Sequence, residues 1–199
     1  QGSSLENHLS TPYYRQLGQL TARLHNHSQN LKLPAGITPP RWERVFYFPN
    51  EESIYRQPAY RRYFSSHRIR LLDQALAIGE NCLSGLYQSD RTPQLIHSDL
   101  HYGNVHLYRR QLYILDFEST LLGFPEQDIA ITLYYGRSRP DYPALTEAYR
   151  QGYSSIRPWP FTSPAHLHSL MAARSVNFIN YVASHHTDPE SMLPGMFQR

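Results

Sequence analysis

The middle of the chain reads Leu95-Ile96-His97-Ser98-Asp99-Leu100-His101-Tyr102-Gly103-Asn104-Val105 and, a little further on, Leu112-Tyr113-Ile114-Leu115-Asp116-Phe117-Glu118. Polar residues here alternate with short apolar runs of the kind that form β-strands. The runs Val105 to Tyr108 and Leu112 to Leu115 predict the two strands of a hairpin that turns at Arg109-Arg110-Gln111. The polar residues therefore lie on the loop before the hairpin and directly after its second strand.

The spacing of these polar residues is typical of the catalytic and metal loops of a kinase, because His-x-Asp is followed by Asn and then by a strand that ends in Asp-Phe. Phosphoryl transfer needs an acceptor hydroxyl held in line and a neutralised phosphate charge. Asp99 can accept the hydrogen bond and later the proton of that hydroxyl. Asn104 and Asp116 offer oxygen ligands to Mg²⁺, and an antiparallel hairpin brings its two bases together. The alternative is a capping Asp, a turn Asn and a surface Asp around an ordinary hairpin.

The rest of the chain is predicted to be mostly helical. Apolar residues at helical spacing predict helices at about 11–27, 63–87, 125–135, 142–153 and 164–184. Residues 28–58 contain many prolines and predict an irregular segment. The expected fold class is therefore mainly α (α+β), a helical lobe with a small β-hairpin that carries the catalytic and metal loops.

Composition limits the class of protein. With 40% hydrophobic and 18% charged residues, the 199-residue chain is neither disordered nor a coiled coil. No apolar run reaches the roughly 18 residues of a membrane span. The net charge of +3 is mild for a nucleic-acid binder. We expect a cytoplasmic protein with neither a membrane nor a nucleic-acid partner, although a helical domain that binds nucleic acid through the Arg- and aromatic-rich stretch Arg41–Arg70 is an alternative.

The histidines and the single cysteine give no other catalytic pattern. No group of the eleven His residues has the spacing of a zinc site. We expect the histidines outside the central motif to be solvated or at helix ends, namely His25, His27, His166, His168, His185 and His186. Cys82 falls within a predicted helix and is expected to be a buried, unreactive thiol. The Gly-x-Ser-x-Gly motif of a serine hydrolase is absent from the sequence.

The central motif resembles that of the aminoglycoside phosphotransferase and choline kinase family of small-molecule kinases. Protein kinases generally carry Lys at the position of His101 and Gly at the position of Glu118, whereas Gly103 before the Asn is preferred in this family. Two further segments are similar to family motifs, namely Leu17 to His25 and Gly123-Phe124-Pro125-Glu126-Gln127-Asp128-Ile129-Ala130. The resemblance spans about residues 11–182, and its strong motifs lie within 95–130.

The resemblance implies the C-terminal, catalytic lobe of a protein-kinase-like fold over residues 11–199, after a disordered or cloning-derived start at 1–10. It implies transfer of the γ-phosphate of ATP or GTP to a hydroxyl of a small molecule, with Mg²⁺. Asp99 would be the catalytic base, and Asn104 and Asp116 the metal ligands. His101 would bind the nucleotide together with Asn104.

Three more residues receive supporting roles from the resemblance. His97 would be a structural residue of the loop that bonds backbone near Asp116, and Asp128 a buried structural acid. Glu118 would lie in the second shell or face the substrate.

One departure from the family pattern is large. Family members place a nucleotide-binding lobe before this segment, with a strand lysine that contacts the phosphates. Here the only lysine is Lys32, downstream of the presumed hinge, no glycine-rich phosphate loop exists, and the first methionine is Met171. We therefore expect a fragment of a longer kinase, with the nucleotide lobe elsewhere in the parent chain and little activity in the isolated fragment. The alternative is a catalytically inert pseudokinase or binding module.

Overall fold

The computed structural model describes residues 2–47 and 51–197. It confirms a mainly helical fold with small antiparallel sheets. The helices are α1 (Thr11–Gln29), α2 (Ser66–Tyr87), α3 (Pro125–Gly136), α4 (Tyr142–Ser154), α5 (Pro164–His185) and α6 (Pro189–Met196). The strands are β1 (Ser3–Ser4), β2 (Gln94–Ile96), β3 (Val105–Tyr108), β4 (Gln111–Ile114) and β5 (Leu121–Gly123).

The predicted hairpin is present as β3 and β4. The two strands pair antiparallel, with Val105 opposite Ile114 and Tyr108 opposite Gln111. Arg109 and Arg110 form the two-residue turn, and both have positive φ angles, as the turns of tight hairpins require. A second small sheet pairs β2 with β5. The five predicted helices are also present, and each ends within three residues of its predicted bounds.

The structure differs from the prediction for residues 1–10, of which residue 1 lies outside the described residues. Ser3 and Ser4 form β1, which pairs with Leu107 and His106 on the free edge of β3. The next residue, Leu5, is completely buried. Two serines and one leucine are too few to give a periodic sequence pattern. This segment is ordered because it pairs with the edge of β3.

Two other elements were not expected from the sequence. β5 pairs with β2. It has only three residues, too few to show an alternation of apolar and polar residues in the sequence. α6 begins directly after Asp188, whose side chain caps the helix by accepting a hydrogen bond from Ser191 N at 3.3 Å. The prediction of an irregular segment at 28–58 includes residues 48–50, which lie outside the described residues.

The chain forms two compact units, of which the first combines Gln1–Arg41 with Thr92–Thr162. In this unit α1 packs on α4 with their backbones in contact. A Cβ on Gly18 would lie 2.1 Å from the carbonyl oxygen of Tyr149, and one on Gly152 would lie 2.0 Å from that of Arg15. Only glycine allows so close an approach, so these two residues fix the helix pair that supports the hairpin.

The second unit combines Trp42–Arg91 with Ser163–Arg199. Its helices α2 and α5 pack together, and α5 also holds the irregular segment that precedes α2. Asn177 Nδ2 donates to Val45 O at 3.2 Å, and Asn180 Oδ1 accepts from Ile54 N at 2.9 Å. In the described residues, no helix has the length and apolar character needed to cross a membrane.

Candidate active site

Asp99 and Asn104 are joined within one short loop of the first unit. The amide nitrogen of Asn104 donates to Asp99 O at 3.0 Å and to Asp99 Oδ2 at 3.1 Å. Both side chains are partly exposed. The nitrogen is occupied by Asp99, so the Oδ1 atom of Asn104 is directed elsewhere and can serve as a ligand.

The hairpin brings Asp116 next to this pair. Leu115 N donates to Asn104 O at 2.9 Å, which continues the ladder one residue beyond the last strand pair. Asp116 therefore comes one residue after Leu115, the residue that pairs with Asn104 across the hairpin. Its carboxylate is exposed, and its backbone is left-handed, with φ 64° and ψ 66°. The structure thus brings together the three residues predicted to carry the chemistry.

His97 connects the two loops. Its Nδ1 accepts from Asp99 N at 3.3 Å, which assigns the ring proton to Nε2. Nε2 then donates to Leu115 O at 2.8 Å, the residue before Asp116. A backbone contact near Asp116 is what the family resemblance implies for His97. One buried imidazole thereby fixes the loop of the proposed base relative to that of the proposed metal ligand.

Asp128, in the first turn of α3, binds the backbone of the loop that contains His97 and Ser98. It is completely buried, as expected, and its two oxygens accept the backbone N–H groups of His97 at 2.9 Å and Ser98 at 2.7 Å. Hydrogen bonds to a carboxylate are about twice as strong as neutral ones. They keep Ser98 at a φ of 61°, an angle that non-glycine residues rarely adopt. The hydroxyl of Ser98 also donates to Ser119 O.

His25 is a site residue that the sequence prediction missed. It was expected to be solvated or at a helix end, but it is completely buried on α1. Its Nε2 lies 3.1 Å from Asp128 Oδ2, and its Nδ1 lies 3.0 Å from the hydroxyl of Tyr153. Its position four and eight residues after Thr21 and Leu17, on the buried face of α1, is the signal that could have identified it.

The aromatic residues behind this network are also buried. Burial raises the pKa of Tyr149 far above its usual value, so this phenol stays protonated. The side chain of Thr132 donates to Leu100 O at 2.7 Å, one residue after Asp99. The loop that carries Asp99 is therefore supported by hydrogen bonds of buried polar side chains, namely those of Asp128, His25 and Thr132.

His101 lies beside the proposed base. Its Nδ1 accepts from Gly103 N at 3.0 Å, so Nε2 carries the proton and faces Asp99 Oδ2 at 3.6 Å. The ring lies against Tyr135 with the centroids 4.7 Å apart. A Cβ on Gly103 would lie 2.5 Å from His101 Cε1, so glycine is required for this arrangement. Tyr135 was not predicted, because it comes from α3 and no local pattern links it to the loop.

The oxygen ligands fit Mg²⁺, which holds most of its waters and needs few protein groups. They are the amide oxygen of Asn104, whose nitrogen is bonded to Asp99, and the exposed carboxylate of Asp116. Among the described residues, no group of three or more His, Cys, Asp or Glu side chains could hold a metal ion, so zinc-type coordination is not found there. Glu118 is exposed on the turn Phe117–Ser119.

Three solved structures with similar folds carry the names of small-molecule kinases or of their families. A microcompartment-associated aminopropanol kinase has 22% identity and a TM-score of 0.70, with 96% of this chain and 59% of that chain covered. Spectinomycin phosphotransferase has 17% identity and a TM-score of 0.65, with coverages of 96% and 62%. A choline/ethanolamine kinase family protein from Mesorhizobium loti has 13% identity and a TM-score of 0.58, with coverages of 100% and 65%. At these identities the similarity establishes the fold, and the chain spans less than two thirds of each of these proteins.

The family of the chain follows from its sequence. No curated protein matches it significantly. The model of the phosphotransferase enzyme family matches residues 2–164, which include α1, the hairpin, Asp99, Asn104, Asp116 and Asp128. Because this match covers most of the 199 residues, the chain belongs to the phosphotransferase enzyme family.

Proposed function

We propose that this chain carries the catalytic base and the metal ligands of a kinase that transfers the γ-phosphate of ATP or GTP to a hydroxyl of a small molecule. The observation that carries the proposal is the arrangement at the hairpin, where Asp99 and Asn104 are hydrogen-bonded and Asp116 follows the next strand. Membership of the phosphotransferase family supports the reaction class.

Asp99 is the proposed catalytic base. One of its carboxylate oxygens already accepts from Asn104, which fixes the plane of the group. The carboxylate is partly exposed, so an acceptor hydroxyl can reach it and donate a hydrogen bond. This bond orients the hydroxyl oxygen toward the γ-phosphorus. Asp99 takes the proton as the new P–O bond forms and the bond from the γ-phosphorus to the β,γ-bridging oxygen breaks, which releases the nucleoside diphosphate.

Asn104 and Asp116 are the proposed ligands of Mg²⁺. When bound, this ion would neutralise part of the phosphate charge. His97 holds the two ligand-bearing loops in place, because it bonds Asp99 N on one side and Leu115 O on the other. The imidazole N–H of His101, which faces Asp99, is the group proposed to contact the nucleotide phosphate.

The acceptor is a small molecule with a hydroxyl group. The exposed carboxylate of Glu118, two residues after Asp116, suits a cationic acceptor. The similar structures include an aminopropanol kinase and a choline/ethanolamine kinase family protein. Neutral acceptors such as a sugar fit the same catalytic groups.

The reaction also needs groups that hold the nucleotide, and this sequence has neither a glycine-rich phosphate loop nor a strand lysine. We propose that a nucleotide-binding lobe in the same cytoplasmic parent protein supplies them. The similar structures are longer than this chain, which supports this proposal. The intact mass of the native gene product tests it, because an added lobe raises the mass well above the 23.2 kDa of this chain.

The central experiment is Asp99→Asn in the full-length protein. Turnover should fall by about 10²–10⁴-fold, the usual contribution of a general base, while MgATP binding is retained. Asp90→Asn is the matched control, because Asp90 is exposed and outside the site. A variant that keeps more than about a tenth of the wild-type rate contradicts the assignment of the base.

Asp116→Ala tests the metal site separately. Loss of one of two protein ligands should raise the Mg²⁺ concentration needed for half-maximal nucleotide binding by about tenfold or more. A metal titration of nucleotide binding gives this value without any measurement of turnover. An unchanged titration curve would remove Asp116 from the metal site.

A further inference from the structure

One face of α3 contacts successive residues of the loop that carries the proposed base. Three side chains on this face, spaced i, i+4 and i+7, make the contacts, namely Asp128, Thr132 and Tyr135. The first accepts from the backbone N–H groups of His97 and Ser98. The second donates to Leu100 O at 2.7 Å, and the third lies against the imidazole ring of His101. The helix thus supports the backbone of the loop at two points, and its third contact is made to a side chain of the proposed site.

His101 is also held by its own loop. Its Nδ1 accepts from Gly103 N at 3.0 Å, so the ring proton is on Nε2. Nε2 lies 3.6 Å from Asp99 Oδ2, which is longer than a hydrogen bond, so this N–H faces the proposed base without being bonded to it. A single hydrogen bond at Nδ1 restricts the two side-chain torsions of a histidine only weakly. The ring therefore needs a second contact if the direction of Nε2–H is to be fixed.

The ring of Tyr135 supplies this second contact. The two ring centroids are 4.7 Å apart and the ring planes differ by 33°, which is a tilted stack. Tyr135 belongs to the last turn of α3 and is half-buried. Its backbone oxygen accepts from the hydroxyl of Tyr102 at 3.5 Å, and the rings of these two tyrosines meet edge to face. Because α3 is anchored to the loop through Asp128, the position of the Tyr135 ring is fixed relative to that loop.

We propose that Tyr135 is a positioning residue for phosphoryl transfer, whose ring holds the imidazole of His101 so that Nε2–H points to the phosphoryl group beside Asp99. This role rests on the proposed function, in which the same N–H contacts the nucleotide phosphate. Tyr135 acts through His101, and the role requires its aromatic ring but not its hydroxyl. The N–H contributes most when charge develops on the phosphoryl oxygens, so loss of its direction affects the transition state more than nucleotide binding.

The test measures MgATP hydrolysis by the full-length protein, with water in place of the small-molecule acceptor. Tyr135→Leu should lower kcat about three- to tenfold, the range expected for loss of an aromatic contact, with the KM for MgATP little changed. Tyr135→Phe keeps the ring and should retain the wild-type kcat. Tyr181→Leu is the matched control and should leave kcat unchanged, because Tyr181 stacks on His185 of α5 at the same centroid distance of 4.7 Å.

A second substitution shows whether the effect passes through His101. In the His101→Ala background, Tyr135→Leu should cause no further loss of kcat, since the side chain that it positions is absent. A loss that multiplies with that of His101→Ala would mean that Tyr135 acts on another group, and it would overturn the proposal. If Tyr135→Leu fails to fold, Tyr135→Met fills a similar volume without a ring and takes its place.

The stack itself is measured by NMR without any turnover. In the full-length protein with isotope-labelled histidine, the ring current of Tyr135 should shift the Cδ2 and Cε1 protons of His101 upfield, and His101→Ala assigns these signals. The shift should persist in Tyr135→Phe and disappear in Tyr135→Leu. Unshifted signals in the wild-type protein contradict the role of Tyr135 alone. Absence of MgATP hydrolysis by the wild-type protein contradicts the proposed function as well.

Discussion

Two regions of the first unit place non-glycine residues at positive φ angles, and they do so for different reasons. In the hairpin turn these residues are Arg109 and Arg110, with φ of 49° and 62°. At the candidate active site they are Ser98 and Asp116, with φ of 61° and 64°. A left-handed conformation is unfavourable by roughly 1–2 kcal/mol for such a residue, so each region must be stabilised by something else.

The turn is explained by local geometry. A two-residue connection between antiparallel strands favours φ > 0 at both positions, because this twist matches that of the strands. Both arginines are exposed. The ladder of β3 and β4 is therefore sufficient to hold the turn, and better turn residues would relieve the strain.

The two site residues are held by long-range contacts instead. Ser98 is completely buried, its N–H donates to Asp128 and its hydroxyl donates to Ser119 O. Asp116 follows Leu115, whose carbonyl accepts from His97. Strain that is maintained by such contacts accompanies preorganised functional sites. The comparison indicates that the hairpin turn tolerates substitutions. The conformation of the loop at Ser98 depends instead on its anchor, the carboxylate of Asp128.

The strongest test of this difference is Asp128→Ala. The substitution leaves two buried backbone N–H groups and His25 without their acceptor, so the free energy of unfolding should fall by roughly 3–5 kcal/mol. Urea denaturation measures the change. Asp90→Ala, an exposed carboxylate, is the control and should have little effect. A loss below about 1 kcal/mol for Asp128→Ala would show that the anchor does not hold the loop.

A smaller effect separates strain from hydrogen bonding at Ser98. Both Ser98→Ala and Ser98→Gly remove the bond to Ser119 O, but only glycine relieves the positive φ. The alanine variant should therefore be less stable than the glycine variant by about 1–2 kcal/mol. Thermal or urea unfolding of the two variants gives the difference directly. Equal stabilities would mean that the left-handed angle carries no strain here.

The smallest expected effect is at the hairpin turn. The double substitution Arg109→Asn and Arg110→Gly supplies the preferred residues and should raise the free energy of unfolding by about 1 kcal/mol. The double alanine variant keeps the unfavourable angles and is the control. Turnover of the full-length protein should be unchanged in both variants. A stability gain in the alanine control would point to charge rather than backbone conformation.

The sequence was sufficient to predict the elements that depend on neighbouring residues. The helical spacing of apolar residues predicted five of the helices, and alternation predicted both strands of the hairpin. The order of Asp99, Asn104 and Asp116 around that hairpin predicted that they would meet. Antiparallel pairing over a two-residue turn leaves few other arrangements.

Tertiary structure alone decided how the site is held. His25 and Asp128 are 103 residues apart in the chain, and Tyr153 is 128 residues from His25. No local sequence pattern indicates two further contacts, the pairing of Ser3–Ser4 with β3 and the contact of Tyr135 with His101. Periodicity reports which face of an element is buried, but not which partner covers it. The residues proposed to carry the chemistry were therefore readable from local spacing, while the contacts that hold them in place exist only once α1, α3 and α4 have packed.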